Sequence, residues 1–443
     1  MKRRTFLQAA GVGMVAPFCI GRAYGQDRVA PSNRINMGFV GLGGLGFHRL
    51  MGFAREADVH VAAICDVSRL HYRDNEWGTG QPFGREAARQ ALESHYSDVD
   101  GYAVEVYSDY RELCANPEID AVMIATPDHW HAAITLEAIR QGKDVYCEKP
   151  VTHLFGEGLR VIDAVRKTGA VFQTGSQQRS SDEFRRAANI VRNGHLGPIS
   201  SIEVGLQAGY SKLMGDATEQ EPPETLDYDF WCGPSQRLPY MRARHHRWWR
   251  AHTAYGGGNI MDWIGHHNDI AHWAMDWDSS GPTRVEATGW TYLDTDIYDT
   301  PEHYEIQCAY AGGVTTSISD RHAQGVKWIG PDGWLYVDRR KLEASDDRWL
   351  APEFDPGPER VYESRSHIRN FLDCCKSREA CVAPAETGHR SITPGHLGFL
   401  SQAIGSPVHW DPSTQTVKDN ADADSRLRAV HYRDTPYIAA VDA

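Results

Sequence analysis

Short apolar runs alternate with stretches of helical spacing along the first part of the chain. Residues 35–40 read as a strand, a glycine-rich turn follows, and a helix continues to Ala54. Residues 59–66 are the next apolar run, and 67–104 are a long polar insertion in which 85–95 has helical spacing. The pattern then predicts a strand over 121–125, a helix over 128–141 stopped by Gly142, and a strand over 144–147. A helix over 156–167 stopped by Gly169 and a strand over 170–174 complete it. Strand–helix alternation of this kind predicts a parallel, doubly wound sheet. Beyond about residue 195 the period drops from 3.6 to 2. Segments 199–207, 284–292, 304–310, 313–319, 326–329 and 333–338 alternate polar and apolar side chains between short turns. They predict an open, mostly antiparallel sheet. Helical spacing returns over 366–375 and 388–403. The chain therefore reads as α/β, with a first domain over 33–177 and an α+β second domain over 178–443.

The first 25 residues fit neither pattern. Lys2, Arg3 and Arg4 precede Thr5-Phe6-Leu7 and a mildly apolar run broken by Gln8, Gly11, Gly13 and Pro17. That run is too short and interrupted to span a bilayer. Ala23 and Gly25 stand three and one residues before a cut ahead of Gln26. Twin arginines followed by Thr-Phe-Leu resemble a twin-arginine export signal. Residues 1–25 are accordingly expected to be a signal peptide, and the mature protein periplasmic.

Composition narrows the class of partner. Hydrophobic residues make up 41% and charged residues 24%, which excludes both a disordered chain and a polytopic membrane protein. The formal charge is −13. Loss of the leader removes four cations and no acid, leaving 42 basic against 59 acidic residues, or −17 over 418 residues. A chain this acidic suits neither a nucleic-acid backbone nor an anionic lipid surface. The expected partner is a small molecule. Cys65, Cys114, Cys147, Cys232, Cys308, Cys374, Cys375 and Cys381 would remain after cleavage, most of them single in apolar runs and none in a Cys-x-x-Cys pattern. They read as buried thiols. The vicinal pair Cys374-Cys375 with Cys381 is able to oxidise, but nothing requires it.

Gly41-Leu42-Gly43-Gly44-Leu45-Gly46 directly follows the first strand and opens a helix, and Asp66 ends the second strand. This is the context that gives Gly-x-Gly-x-x-Gly its dinucleotide chemistry. Gly41 permits a tight turn, Gly43 lets backbone approach a pyrophosphate, and Gly46 lets the helix pack on the strand. The helix N-terminus offers free N–H groups and a positive dipole end. Asp66 suits a ribose diol and repels a 2′-phosphate, which favours NAD, although Ser68 and Arg69 are placed to accommodate NADP. Thr126 and Pro127 end the strand over 121–125 and suit the nicotinamide face. His129 or His131, which follow, can point into the crevice or cap the helix. Glu148-Lys149-Pro150 ends the next strand at the same edge. From there the Lys149 ammonium can reach a substrate hydroxyl and stabilise a developing alkoxide.

Histidine and tryptophan concentrate in residues 245–273. On a helix starting near Ile260, Asp262, His266, Asp269 and Trp273 share one face. An Asp one turn from a His can orient the ring, which suits a general base. A metal site from His266, Asp269 and a neighbouring His is the weaker reading, and no metal is assigned. Arg247, Trp248 and Trp249 offer aromatic faces and planar donors of the kind that bind pyranose rings. Tyr255 and His267 complete the expected substrate set with Lys149, Asp262 and His266.

The motifs Gly41 to Gly46, Thr126-Pro127, Glu148-Lys149-Pro150 and Asp262-x-x-x-His266-x-x-Asp269 occur in order at spacings that resemble the Gfo/Idh/MocA family, named for glucose–fructose oxidoreductase, inositol dehydrogenase and a rhizopine-catabolism protein. Asp227 to Pro234, the Trp/His-rich loop, Gly388 to Ser391 and Val408 to Pro412 resemble its secreted bacterial branch. The resemblance covers about residues 33–435. It implies a Rossmann domain, a sheet domain, homodimers or homotetramers, and Lys149, Asp262 and His266 as catalytic residues. It also implies cofactor contacts from Gly41, Gly43, Gly44, Leu45, Gly46, Asp66, Thr126, Pro127, His131, Glu148 and Lys149. One departure stands out. The family usually has Gly two residues after the Asp, and here Ile264 precedes Gly265. The expected activity is hydride transfer between a sugar, polyol or glycoside carbon and tightly bound NAD. Glycoside cleavage through transient oxidation and elimination is the alternative, and a non-catalytic sugar-binding protein is a third reading.

Overall fold

The computed structural model describes residues 33–72 and 80–438. The expected signal peptide lies outside them. Six parallel strands form the first sheet: β1 (Ile35–Val40), β2 (Val59–Cys65), β3 (Glu105–Tyr107), β4 (Ala121–Ile124), β5 (Asp144–Cys147) and β6 (Phe172–Thr174). Their order is β3-β2-β1-β4-β5-β6. The order reverses between β1 and β4, so the chain leaves these neighbouring strands in opposite directions and opens a crevice at their carboxyl ends. β4 is wholly buried and β5 nearly so, as expected of parallel strands covered on both faces. The covering helices include α1 (Gly44–Ala54), α2 (Arg85–His95), α3 (Tyr110–Ala115), α4 (Asp128–Arg140) and α5 (Phe155–Thr168). The sequence pattern assigns no element to residues 105–120, where the short β3 and α3 lie.

The second sheet has nine strands. They are β7 (Ser201–Gly205), β8 (Arg284–Tyr292), β9 (Pro301–Ala309), β10 (Thr315–Ser319), β11 (Gly325–Gly330), β12 (Gly333–Val337), β13 (Leu342–Ala344), β14 (Val408–Asp411) and β15 (Thr416–Val417). Their order is β13-β12-β11-β7-β10-β9-β8-β14-β15, and only the β7–β10 pairing is parallel. Helices α6 (Asp182–Arg192), α7 (Tyr228–Cys232), α8 (Gly258–Met275), α9 (His367–Ser377) and α10 (Ala385–Ile404) belong to this half of the chain. α8 and α10 bury Ile264, Ile270, Leu397 and Leu400 in one core with Val285, Ile306 and Ile318 of the sheet. Gly398 makes this seat close, because a Cβ there would sit 2.6 Å from the Ile306 side chain.

α9 does not stay with the second sheet. It crosses back and packs Phe371 against Phe53 of α1 and Tyr146 of β5, with ring centroids 6.2 and 5.7 Å apart. Arg369 pairs with Asp58 at 2.7 Å, Lys376 pairs with the same carboxylate, and Arg378 reaches Asp144 at 2.5 Å. α10 also packs on α5, with Phe155 and His389 ring centroids 4.8 Å apart, so the two halves are tied together by the chain after β6, by α9 and by α10.

Candidate active site

The carboxyl ends of β1, β4 and β5 open into a cavity of about 1320 Å³, and α8 with the loop before it forms the opposite wall. Gly41 takes φ +89°, and a Cβ there would lie 2.7 Å from the backbone of Ala125. At Gly46 a Cβ would come within 1.9 Å of the Gly41 carbonyl oxygen, so this glycine is what lets α1 start directly on the turn. Gly43 differs, since a Cβ there meets nothing within 4 Å. Its open side faces the cavity. With no acid in the first turn of α1, the unpaired N–H groups there are available to an anion. Asp66 accepts from Leu42 N at 2.6 Å and Ser68 N at 2.8 Å, which fixes the carboxylate and leaves each oxygen a second lone pair. The Thr126 hydroxyl is buried beside this turn without a hydrogen-bond partner. An open glycine cradle, a fixed acid and an orphaned hydroxyl in one crevice fit a dinucleotide. Gly41, Gly43, Gly44, Leu45, Asp66, Thr126, Pro127, His131, Glu148 and Lys149 all line it, whereas Gly46 serves packing. Gly43→Val is expected to fold and to lose nucleotide affinity by more than about tenfold, because the isopropyl group costs a van der Waals overlap worth at least ~1.4 kcal/mol. Fluorescence titration with NADH measures this.

His131 lines the cavity, but both its ring nitrogens face carbonyls, Pro150 O at 2.6 Å and Thr126 O at 3.0 Å. It ties the turn after β4 to the turn after β5 and so positions Thr126 and Lys149. His129 points away, between Trp231 O at 2.9 Å and Tyr255 O at 3.3 Å. Glu148 is buried, with Arg49 on Oε1 at 2.6 Å.

The opposite wall carries the charges. Lys149 Nζ donates to Asp262 Oδ1 at 2.5 Å and to Asp262 O at 2.8 Å. Arg250 Nε lies 3.1 Å from the same Oδ1, and its guanidinium covers the Trp249 ring at 4.2 Å. Burial alone would raise the Asp262 carboxyl, but Arg250 and Lys149 outweigh it and hold the acid well below the usual carboxylate range. Asp128, the first residue of α4, is buried in the same cavity. Burial, with the Asp262 charge beside it, pushes its carboxyl up to about 7 against the pull of Arg250 and Lys149. His266 is held well below its ordinary value, by burial first and then by Lys149 and Arg339. Its imidazole is therefore neutral, and its Nδ1 has no hydrogen-bond partner.

Several expectations need correction. Asp262 does not hydrogen-bond to His266, because two cations compete for its carboxylate and win over a neutral ring. Asp269 leaves the cavity and forms a bidentate pair with Arg179 at 2.7 and 3.0 Å. It keeps the face of Asp262 but lies seven residues, about 10 Å, further along the α8 axis and so beyond the cavity. Tyr255 does not line the cavity. Its hydroxyl donates to Gln236 O at 2.9 Å and accepts from Leu238 N at 3.2 Å, so the ring anchors a loop. His267 does not line the cavity either: it is buried beside Trp263, near the Gly325 backbone. Arg247, Trp248 and Trp249 do line it. The one-residue shift of the glycine after Asp262 has a geometric outcome. Ile264 is fully buried, and it is Gly265 whose Cβ position lies 3.3 Å from Lys149 Cβ, so Gly265 admits the lysine stem to α8.

Asp128, Arg250, Trp263, Tyr210 and Arg339 also line the cavity and carry no site assignment in the sequence reading. Asp128 stands in the strand-end motif and Arg250 in the Trp/Arg run, so both had a signal. Tyr210 and Arg339 come from loops after β7 and β12, where nothing local marks them. Arg339 sits over the Trp263 ring at 5.0 Å.

Comparisons with known proteins agree with this geometry. Residues 35–176 match the oxidoreductase family described as an NAD-binding Rossmann fold, and residues 182–435 match its C-terminal alpha/beta domain. An uncharacterized oxidoreductase, YrbE of Bacillus subtilis, is 29% identical over 259 residues, 58% of each chain. Inositol 2-dehydrogenase of Salmonella typhimurium is 28% identical over 199 residues, 44% of this chain and 52% of that one. A glycosyl hydrolase family 109 protein of Shewanella baltica is 26% identical over 219 residues, 44% of each. The chain thus spans about half the length of these relatives. Among solved structures, the aldose-aldose oxidoreductase of Caulobacter crescentus superposes with a TM-score of 0.58 at 19% identity, covering 85% of this chain and 99% of that one. The WlbA dehydrogenase of Bordetella pertussis, solved with NADH and UDP-GlcNAcA, gives 0.60 at 18% identity over 85% and 99%. These two share the fold. No helix among the described residues is long and apolar enough to cross a membrane. With both of its domains matched, the chain belongs to the Gfo/Idh/MocA oxidoreductase family and carries that family's NAD-binding Rossmann domain.

Proposed function

We propose that this protein is an exported, periplasmic oxidoreductase that moves a hydride between a sugar, polyol or glycoside carbon and a retained NAD. The observation that carries the reading is the placement of Lys149, Asp262 and neutral His266 in the cavity that also holds the open Gly43 cradle. Bound NAD supplies the hydride acceptor. The protein's own residues handle the proton and the charge. His266, uncharged and with a free ring nitrogen, takes the hydroxyl proton. Lys149 donates an N–H to the substrate oxygen and stabilises negative charge as it develops there. Asp262 aims the ammonium, and Arg250 keeps Asp262 ionised. Trp248, Trp249 and Trp263 line the cavity and give it apolar wall for the C–H surfaces of a pyranose. The inositol 2-dehydrogenase relatives support a polyol-type substrate. The arginine pair near the N-terminus supports export, and a cofactor exported with a folded protein has to be reoxidised in place by a second sugar. The resemblance also supports a homodimer or homotetramer, read by light scattering.

The test is mass spectrometry of nucleotide released from the denatured protein, before and after exposure to a sugar panel. A stoichiometric nicotinamide dinucleotide whose redox state changes with one sugar is expected. Protein that contains no nucleotide and binds none when it is supplied would overturn the reading.

A second reading, glycoside cleavage by transient oxidation and elimination, is favoured by one observation. The cavity holds a further acid–base group, Asp128, that a single hydride step does not use. The glycosyl hydrolase relatives support it too. Aglycone release from an aryl glycoside without net NADH would establish it, and a stable keto-sugar would exclude it.

A further inference from the structure

We propose that Asp128 is a second catalytic residue of the cavity: the base that removes a proton from the carbon next to the oxidised one. This rests on the oxidation proposed above, because only a carbonyl makes that C–H acidic. β4 and β5 are paired in parallel, with Ile124 opposite Cys147. Asp128 follows its strand end by four residues and Lys149 follows the neighbouring one by two, and the Lys149 charge is felt at the Asp128 carboxyl. Both side chains line the cavity, and both lie in the field of Arg250 and Asp262. A ketone and its neighbouring C–H are adjacent atoms, and an ammonium beside a carboxylate is the matching pair of groups. Lys149 serves the oxygen and Asp128 the carbon.

Three features equip Asp128 for this. It is 3% exposed, yet apart from its own backbone N–H nothing among the described residues hydrogen-bonds to its carboxyl, so lone pairs remain for a substrate proton. Room is kept for it by Gly256, where a Cβ would sit 3.1 Å from Asp128 Oδ2. Its environment also separates it from its neighbour. The groups acting on it are Arg250 and Lys149, which favour the carboxylate, and Asp262 and burial, which disfavour it. One acid of the pair is pinned as an anion and the other titrates near neutrality, the arrangement that divides acid–base roles between two carboxyls.

The step balances without a further reagent. The C–H electron pair moves into the C–C bond, the carbonyl π pair moves to oxygen against Lys149, and the proton goes to the Asp128 carboxylate. Return of that proton, exchanged with solvent, restores the ketone. Where the carbon beyond bears a leaving oxygen, the enolate expels it with its electron pair and His266, protonated in the oxidation, supplies the proton.

Enolisation needs no hydride transfer, so a chemically prepared methyl 3-keto-glucoside tests it directly. In D2O the full-length protein is expected to catalyse deuterium incorporation beside the carbonyl, read by proton NMR. The rate should rise with pD through about 7 and fall about 100-fold or more in Asp128→Asn, with partial recovery in Asp128→Glu. Exchange as fast in Asp128→Asn as in the wild type overturns the proposal. So does a pD-independent wild-type rate, which stands even if the variant does not fold. A wild type that oxidises methyl glucoside but exchanges nothing overturns the base and leaves the oxidoreductase standing. A wild type that binds no nucleotide and exchanges nothing overturns both.

Discussion

Lys149→Ala is expected to abolish turnover while nucleotide and sugar still bind. The ammonium has a carboxylate hydrogen-bonded behind it at 2.5 Å, and Asp262 in turn has Arg250 at 3.1 Å. A group held in this way costs no reorganisation when charge appears on the substrate oxygen. Removing such a donor lowers kcat by roughly 10² to 10³-fold, and losing its part in proton handling adds to that. The effect should fall on kcat with a smaller change in KM, because the stabilised charge exists only on the way to the product. Lys149→Arg is expected not to rescue it, because a planar guanidinium does not put one compact donor where the ammonium bonds both Asp262 Oδ1 and Asp262 O. Stopped-flow reduction of bound NAD measures the loss. A variant that retains wild-type reduction rates would remove Lys149 from the mechanism, and with it the hydride reading of the cavity. The fold should tolerate the change, since Arg250 remains to neutralise Asp262.

How much of this was readable from the sequence follows from what each feature depends on. The glycine turn, Asp66 and the Glu148-Lys149-Pro150 strand end depend on local backbone demands, and the chain order of strand and helix states them. The α8 face was readable from Asp262 to His266 and no further. Asp262 and His266 reach the cavity, but the face extended to Asp269 failed, because which part of a long helix borders a cavity is decided by what packs on it. The same reason explains Tyr255 and His267. Both sit inside the dense aromatic stretch, and an aromatic in such a stretch is as able to build the wall from behind as to line it. The partner of Asp262 was not readable at all. A one-turn spacing proposes His266, whereas Lys149 and Arg250 arrive from residues 113 and 12 positions away in sequence. Nor does any local pattern announce that α9 returns to the first sheet, since an amphipathic helix states that it has a buried face and not where.

Arg179→Met is expected to be the most destabilising single change in the second half of the chain. Arg179 is 1% exposed and Asp269 fully buried, and the guanidinium also holds Asp278 at 2.6 Å. Through these pairs the turn at Gln177–Ser180, the middle of α8 and the segment after α8 form one unit. The arginine also covers the Trp273 ring at 5.3 Å. Taking away one partner of a buried ion pair leaves a charge without compensation and typically costs about 3–5 kcal/mol. The sign of the pH dependence follows from Asp269. Burial already pushes its carboxyl up to about 6 in spite of Arg179, and without the guanidinium it rises further. A carboxyl raised in the folded state destabilises above its folded pKa, and the penalty fades as the pH falls through that value. Urea unfolding should therefore show a deficit in Arg179→Met that is larger at pH 8 than at pH 5. Asp269→Asn added to Arg179→Met should recover part of the deficit at pH 8 and little at pH 5, because the amide removes the stranded charge that acid would otherwise neutralise. A deficit under about 1 kcal/mol, or one that grows on acidification, would mean that the pair is not what locks α8 in place. The geometry of the cavity wall would then have to come from the packing of α8 on α6 and α10.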